Sequence, residues 1–320
     1  MGAFIIRRLF YGVAVVLGVL FLLFLLFFTV TSPDDIARKA LGEKAPPQVI
    51  EQWKANHGYD RALWPWEDWD ENLLFDHYRR MLTFDFGLSD ADDSPIIDRI
   101  KAGMGPSLSL TVPLLVLGLL AAIPLSLLVA FFRETYIDRM GVFLCVLAMS
   151  ISALLYIIGA QFLIGKMLRW FPISGFDTNL ILLPRFLALP ILVGLMSGIG
   201  GDVRFYRTVF LEESNRDFVR TARAKGASEA RILSHHILRN SMIPIMTQVV
   251  LAIPFLFMGA LLTEAFFGIP GLGSITVDAI NANDFSTLRT MVYIGSLLFI
   301  LGQVATDLSY GLVDPRVSIE

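Results

Sequence analysis

Apolar residues occur in this chain as long uninterrupted blocks separated by short polar stretches. A bilayer core about 30 Å thick needs roughly 20 consecutive apolar residues in a helix, and six blocks meet that requirement. They cover residues 9–30, 106–132, 141–165, 181–199, 243–267 and 290–313. The pattern predicts an all-α membrane protein with six transmembrane helices.

The polar stretches between the blocks predict the domain organisation. Residues 1–30 contain the N-terminus and the first span, and residues 31–105 form a loop domain outside the membrane. Residues 106–320 form a five-helix core, which is interrupted by a long polar loop at about 202–242. We expect that loop to face the cytoplasm.

The loop domain contains two segments with helical periodicity, residues 48–56 and 72–82. Three tryptophans lie between them: Trp64, Trp66 and Trp69. They indicate either an aromatic belt at the lipid headgroups or a docking surface for an external protein. The acidic run 90–93 is expected to form a solvated turn, because a calcium site needs more ligands at fixed spacing.

Composition and charge agree with a membrane protein. The chain is 55% hydrophobic and only 17% charged, unlike a typical soluble domain. The net charge of -3 averages over two differently charged faces and does not identify a partner. Cys145 is the only cysteine, so no intramolecular disulfide can form. The first apolar block is too long for the core of a cleaved leader peptide.

The distribution of Lys and Arg predicts the orientation of the spans. Arg7 and Arg8 precede the first span, and Arg133 and Arg139 lie between the second and the third. Eight more Lys or Arg residues lie between positions 204 and 239, on the same side if six spans alternate. We therefore expect both termini in the cytoplasm.

Polar and proline residues inside the blocks are candidates for helix contacts or a transport path. Gln161, Gln248 and Gln303 could bond across helices. Prolines within the spans could kink helices that line a path. No charged residue lies near the midpoint of any predicted span, which disfavours a proton- or ion-coupled carrier.

The stretch between the fifth and sixth blocks contains three glycines and a proline within residues 268–273. This composition excludes a regular helix and predicts a tight re-entrant or surface turn, with Pro270, Gly271 and Gly273 as structural candidates. Glu264 precedes the turn. It either extends toward the interface or forms a hydrogen bond to the turn.

The basic segment, residues 212–244, predicts two short amphipathic helices hinged at Gly226. Asn215 is expected to cap the first helix, with Asp217 in its first turn, and Ser228 is expected to cap the second. Anionic lipid headgroups could bind the positive charge. The apolar stripes and the glycine favour a groove on a protein partner.

The motif Arg220-Thr-Ala-Arg-Ala-Lys-Gly226, followed by 236–240 and Pro244, resembles the EAA loop of bacterial ABC importer permeases of the dipeptide, oligopeptide and nickel branch. Segments 5–9, 84–89 and 264–273 resemble the same family, as do Asp307, Tyr310 and 314–316. The resemblance covers nearly the whole chain and is closest to the B-type subunit. The general motif begins Glu-Ala-Ala, where this chain has Arg220-Thr-Ala.

The resemblance implies a type I ABC importer permease fold in the bacterial inner membrane, with an extracytoplasmic loop domain. It implies a second homologous permease, two ATPase subunits, an external substrate-binding protein and membrane lipid as partners, and no nucleic acid. ATP and Mg²⁺ would bind the ATPase subunits, and this chain would bind no cofactor. The residues implied in coupling are Phe218, Val219, Arg220, Ala222, Arg223, Ala224, Lys225, Gly226, His236, Arg239 and Asn240.

In this scheme Phe218, Val219 and Ala222 pack into the groove of the ATPase, and the cationic residues meet its rim. The chain has no phosphate-binding loop, since its only Gly-Lys pair, Gly165-Lys166, is followed by Met167. Hydrolase and zinc-protease motifs are also missing from the sequence. The chain is therefore not expected to be an enzyme. Peptides are the favoured substrate, with nickel chelates, other small solutes or an ion-coupled carrier as alternatives.

Overall fold

The computed structural model describes residues 2–42, 44–69 and 71–313, and it describes side chains within these ranges except at 2–6, 9 and 308–313. The predicted family matches at 314–316 and at the Tyr310 side chain lie outside the described residues, as do the side chains at 5, 6 and 9. Fourteen helices are present in the described part, and two π-helical segments, Leu25–Val30 and Gln161–Met167, extend the first and the seventh of them. They are α1 (Gly2–Phe24), α2 (Pro33–Leu41), α3 (Pro47–His57), α4 (Leu73–Leu82), α5 (Ile96–Phe131), α6 (Tyr136–Ser150), α7 (Ala153–Ala160), α8 (Leu183–Ser214), α9 (Asp217–Ala224), α10 (Glu229–Asn240), α11 (Met242–Met258), α12 (Leu261–Phe267), α13 (Leu272–Ala282) and α14 (Phe285–Val313).

The membrane-spanning helices agree with the predicted number. Four are long and apolar enough to cross a bilayer: Phe10–Val30, Ile96–Phe131, Leu183–Ser214 and Phe285–Asp307. Two bent helix pairs bring the count to six if each pair forms one span. The prediction of an all-α protein with six spans is confirmed in the described part of the chain.

The third predicted span is not one straight helix. The chain bends by 87° between Tyr136–Ser150 and Ala153–Met167. Ile151 is extended at the bend, and the Ser152 side chain accepts a hydrogen bond from the Leu155 amide (3.4 Å). A serine that caps the following helix starts a new helix rather than continuing the old one. This cap was not apparent in an uninterrupted apolar block.

The fifth predicted span is also broken. Helix α11 ends at Met258, and Gly259 has a φ of +74°, which a residue with a side chain rarely adopts. Helix α12 then begins at Leu261. The block 243–267 is therefore two helices joined at a glycine.

Two other spans are longer than their apolar blocks. Helix α5 begins at Ile96, because Ile96 and Ile100 are buried against the loop domain. Helix α8 continues to Ser214, through the beginning of the loop that was predicted at about 202–242. Val203, Tyr206 and Phe210 are buried at helical spacing, so the last turns of α8 still have a packed face.

The loop domain packs its helices on the first span. The two predicted helices are present as α3 and α4, and α2 was missed although Ser32 caps it. On α4, His77 is buried and its Nε2–H donates to the Leu20 carbonyl (3.0 Å). Burial lowers the pKa of His77 to about 3, so the ring is neutral. Trp66 and Trp69 remain 74% and 71% exposed.

The acidic run 90–93 includes a turn, as predicted, but the prediction that it is solvated is wrong for Asp90. Asp90 is buried, and it accepts hydrogen bonds from the Ser286 amide (2.7 Å) and from the Tyr59 hydroxyl (3.3 Å). Burial raises the pKa of Asp90 and raises the pKa of Tyr59 to about 12. Asp92 and Asp93 are exposed. Asp90 therefore joins the loop domain to the beginning of α14.

Replacing Asp90 with alanine is expected to lower the thermal unfolding midpoint of the purified protein. The substitution leaves the Ser286 amide and the Tyr59 hydroxyl buried without this acceptor, at a cost of about 1–3 kcal/mol for each group. Asp92→Ala is the matched control, because that side chain lies in the same run and is 57% exposed. Equal midpoints for the two variants would contradict the assignment.

Candidate coupling segment and membrane cavity

The basic segment forms two helices, α9 and α10, as the sequence predicts, but their capping differs. Asn215 ends α8 with a helical backbone conformation, and its N–H bonds to the Glu212 carbonyl (3.3 Å). The extended residue before α9 is Arg216. Because α8 runs to Ser214, Asn215 is part of that helix end and cannot adopt the extended conformation of an N-cap.

Gly226 provides the turn between α9 and α10. Its φ is +80°, and its N–H donates to the Arg223 carbonyl (3.0 Å). A Cβ atom added at this position would meet nothing within 4 Å. Glycine is therefore required by the left-handed backbone conformation rather than by crowding.

The apolar face of α9 packs inside the chain itself. Val219 is fully buried and Ala222 is 8% exposed, in one cluster with Phe210 and Ile232. Phe218 is partly buried against the same cluster. The expectation that Val219 and Ala222 enter a groove on a partner is therefore wrong, because the end of α8 and helix α10 already cover this face.

The surface that α9 and α10 present to the outside is mainly cationic. The side chain of Arg220 is 77% exposed, and its nearest acid is Asp217 (3.8 Å). Arg223 forms a two-point ion pair with Glu229 across the turn, with Nη2–Oε2 at 2.9 Å. The remaining predicted coupling residues are exposed, except for half-buried His236: Ala224, Lys225, Gly226, Arg239 and Asn240.

A cavity of about 570 Å³ lies between α5, α8 and α11. Its walls are mostly apolar, with polar groups at Thr111, Asp202, Tyr206 and Gln248. Gln248, which was predicted to bond across helices, thus faces open space. Asp202 was missed, because the apolar block that defined the fourth span ended at residue 199. A check for acidic residues one turn beyond each block would have found it.

The other polar candidates lie away from this cavity. The Gln161 amide donates to the carbonyls of Ile173 (3.1 Å) and Phe266 (2.9 Å), so it joins the end of α7 to the loop at Ile173 and to the end of α12. Gln303 is exposed on α14. Asp307 forms an ion pair with Arg8 (3.1 Å), which joins the first and last spans.

Glu264 is fully buried and bonds to the glycine-rich turn, which decides between the two alternatives. Its Oε1 accepts from the Ser107 hydroxyl (2.8 Å), and its Oε2 accepts from the Gly273 amide (2.7 Å). A Cβ at Gly273 would lie 2.8 Å from the Leu261 nitrogen, and a Cβ at Gly271 would clash with the Glu264 carboxylate. Pro270 is exposed at the tip of the turn.

Six apolar spans, three of which line a cavity, with a braced cationic turn joining two of the cavity helices, define a membrane permease. The chain belongs to the family of binding-protein-dependent transport system inner membrane components. The model of that family matches residues 122–319. A second model, which describes the N-terminal part of these membrane components, matches residues 1–111.

Curated relatives align with the chain from end to end. The protein named Probable peptide ABC transporter permease protein y4tP of Sinorhizobium fredii is 30% identical over 323 residues, covering 99% of each chain. The glutathione transport system permease protein GsiC is 30% identical in Salmonella typhimurium and in Escherichia coli K12, covering 98% of each chain. The chain is therefore a permease subunit of an ABC transport system.

Proposed function

We propose that this permease imports peptides as one half of a translocation path. A second homologous permease would supply the other half, two ATPase subunits would drive the cycle, and an external binding protein would deliver the substrate. Both termini and the basic segment would face the cytoplasm, and the loop domain would face outside, in agreement with the Lys and Arg bias. The location of α9 and α10 between cavity helices α8 and α11 is the observation that carries the proposal.

The contacts of α9 support a lever that moves as one body. Burial of Val219 fixes α9 to α8 and α10, and the Arg223–Glu229 pair braces the turn. A displacement of the exposed face of α9 would therefore move α8 and α11 with it, because these contacts hold the segment together as a rigid unit. Tighter binding of this face to one state of the ATPase would shift the permease between its two orientations.

The exposed cations are the contacts that we assign to the ATPase. Arg220 and Lys225 are exposed and would meet acidic side chains or carbonyl groups on that subunit. Arg223 is already paired with Glu229, so its role would be to hold the turn. This assignment replaces the apolar contact that the sequence pattern favoured.

The cavity supports a substrate with both polar and apolar groups. Asp202 could pair with an ammonium group, and Thr111 and Gln248 offer hydrogen bonds beside apolar walls. The names of the relatives refer to peptide and glutathione transport, which favours peptides over nickel chelates. Asp202 is also the kind of residue that an ion-coupled carrier would need. Uptake that continues in the presence of a protonophore but requires ATP would distinguish the two mechanisms.

Replacing Arg220 with glutamate is expected to reduce copurification of the ATPase subunits at least tenfold. The change reverses the charge of an exposed side chain that contacts only Asp217 weakly, so folding should be preserved. Affinity purification of the tagged permease, coexpressed with its ATPases, measures the effect. Arg79→Glu is the matched control, because Arg79 is exposed in the loop domain.

The assignment would be contradicted if Arg220→Glu retained its ATPases as the control does. The same preparations test whether ATP hydrolysis requires the ATPase subunits. The permease alone should hydrolyse no ATP, and activity should appear only with the copurified subunits.

A further inference from the structure

A second, smaller cavity lies between the loop domain and the beginning of α14. Its volume is about 140 Å³, and its lining includes His57, Tyr59, Arg80, Ser286 and Arg289. None of the lining residues is acidic. The cavity is separate from the large cavity between α5, α8 and α11, because the two share no lining residue.

Arg289 is the unusual residue in this cavity. It is only 8% exposed, and its Nε atom has no hydrogen-bond partner. Its guanidinium lies over the ring of Phe28, 4.7 Å from the centroid. None of the ion pairs in the described part of the chain includes Arg289. A buried guanidinium that is stacked on an aromatic ring still needs an acceptor for its N–H groups.

The acidic residues near the cavity are engaged elsewhere. Asp90 attracts Arg289 electrostatically, but its oxygens accept hydrogen bonds from Ser286 and Tyr59. Asp76 binds the Nε atom of Arg80 (2.8 Å). Asp93 lies 3.2 Å from the Nε2 atom of His57. Two arginines, Arg80 and Arg289, therefore line this cavity, and not all of their N–H groups have an acceptor within the protein.

We propose that the cavity binds one small oxyanion of the carboxylate or phosphate class. The planar guanidinium of Arg289 would hold two of its oxygens, as arginine does with carboxylates and phosphates. Arg80 would add a second contact, because it lines the same cavity and its Nη1 atom lies beside Gly87, another lining residue. The bound anion would fasten α4 of the loop domain to α14.

Binding of radiolabelled inorganic phosphate to the purified full-length protein in a maltoside detergent tests this proposal. We expect saturable binding of one phosphate per chain, with acetate as a competitor. Arg289→Gln should weaken binding at least tenfold. Arg79→Gln is the matched control, because Arg79 is exposed on the same helix as Arg80. Its affinity should equal that of the unchanged protein.

Arg80→Gln provides a second variant if Arg289→Gln does not fold, and it should also weaken binding. Adding an anionic phospholipid distinguishes a free anion from a lipid headgroup, because only a headgroup that occupies the site will displace the labelled phosphate. Either source supports the oxyanion site. Absence of saturable binding, or equal affinity in Arg80→Gln and the control, would overturn the proposal and leave a cavity that holds only water.

Discussion

Transport is expected to fall to background when Gly226 is replaced by proline, while the protein remains in the membrane. Proline fixes φ near −65° and lacks an N–H group, whereas Gly226 has a φ of +80° and donates to the Arg223 carbonyl. Because the native conformation is incompatible with proline, the substitution destabilises the turn by more than about 1 kcal/mol. This destabilisation would affect the connection between α9 and α10 and leave the membrane helices intact, because no membrane helix contains Gly226. Substrate uptake by proteoliposomes with the cognate ATPases measures the loss.

Gly226→Asn is the control for this experiment. Asparagine adopts the left-handed conformation more readily than most residues, and its Cβ would meet nothing within 4 Å. We expect it to retain most of the transport activity. Both variants should reach the membrane in amounts similar to the unchanged protein on an immunoblot. Wild-type uptake by Gly226→Pro would show that the geometry of this turn does not transmit force.

The hinged segment shows what a sequence pattern can and cannot predict. The spacing of apolar residues and the glycine predicted both helices of the basic segment and the turn between them. The apolar stripe of α9 does not show which surface covers it. Its sequence pattern is the same whether that surface belongs to this chain or to a partner. Val219 packs against the end of α8, which an apolar block ending at residue 199 did not suggest.

The membrane helices show a similar division. Apolar blocks predicted the number of spans, because that number depends on length and hydrophobicity alone. They did not predict the breaks at Ser152 and Gly259, since a single serine or glycine is tolerated within many membrane helices. The burial of Asp90 was also missed, because its partners at Tyr59 and Ser286 are distant in the sequence.

Replacing Glu264 with alanine is expected to have the largest effect on folding. Four groups donate to this carboxylate: the Ser107 hydroxyl and the amides of residues 260, 273 and 274. Each donor left buried without an acceptor costs about 1–3 kcal/mol. Their sum approaches the entire stability of an ordinary domain, about 5–15 kcal/mol. The amount of protein that elutes as a monodisperse peak in gel filtration should therefore fall to a small fraction of the unchanged level.

Two variants separate the loss of hydrogen bonds from the loss of negative charge. Glu264→Gln keeps the shape and one acceptor oxygen but places an amide N–H₂ group opposite two other donors, so its yield should be intermediate. Asp278→Ala removes an exposed carboxylate from the neighbouring helix α13 and should leave the yield unchanged. If Glu264→Ala folded as well as Asp278→Ala, the turn at 268–271 would have to be held by its own backbone. In that case Glu264 would be available for another role at the end of the large cavity, where Gly259 and Ala260 lie beside it.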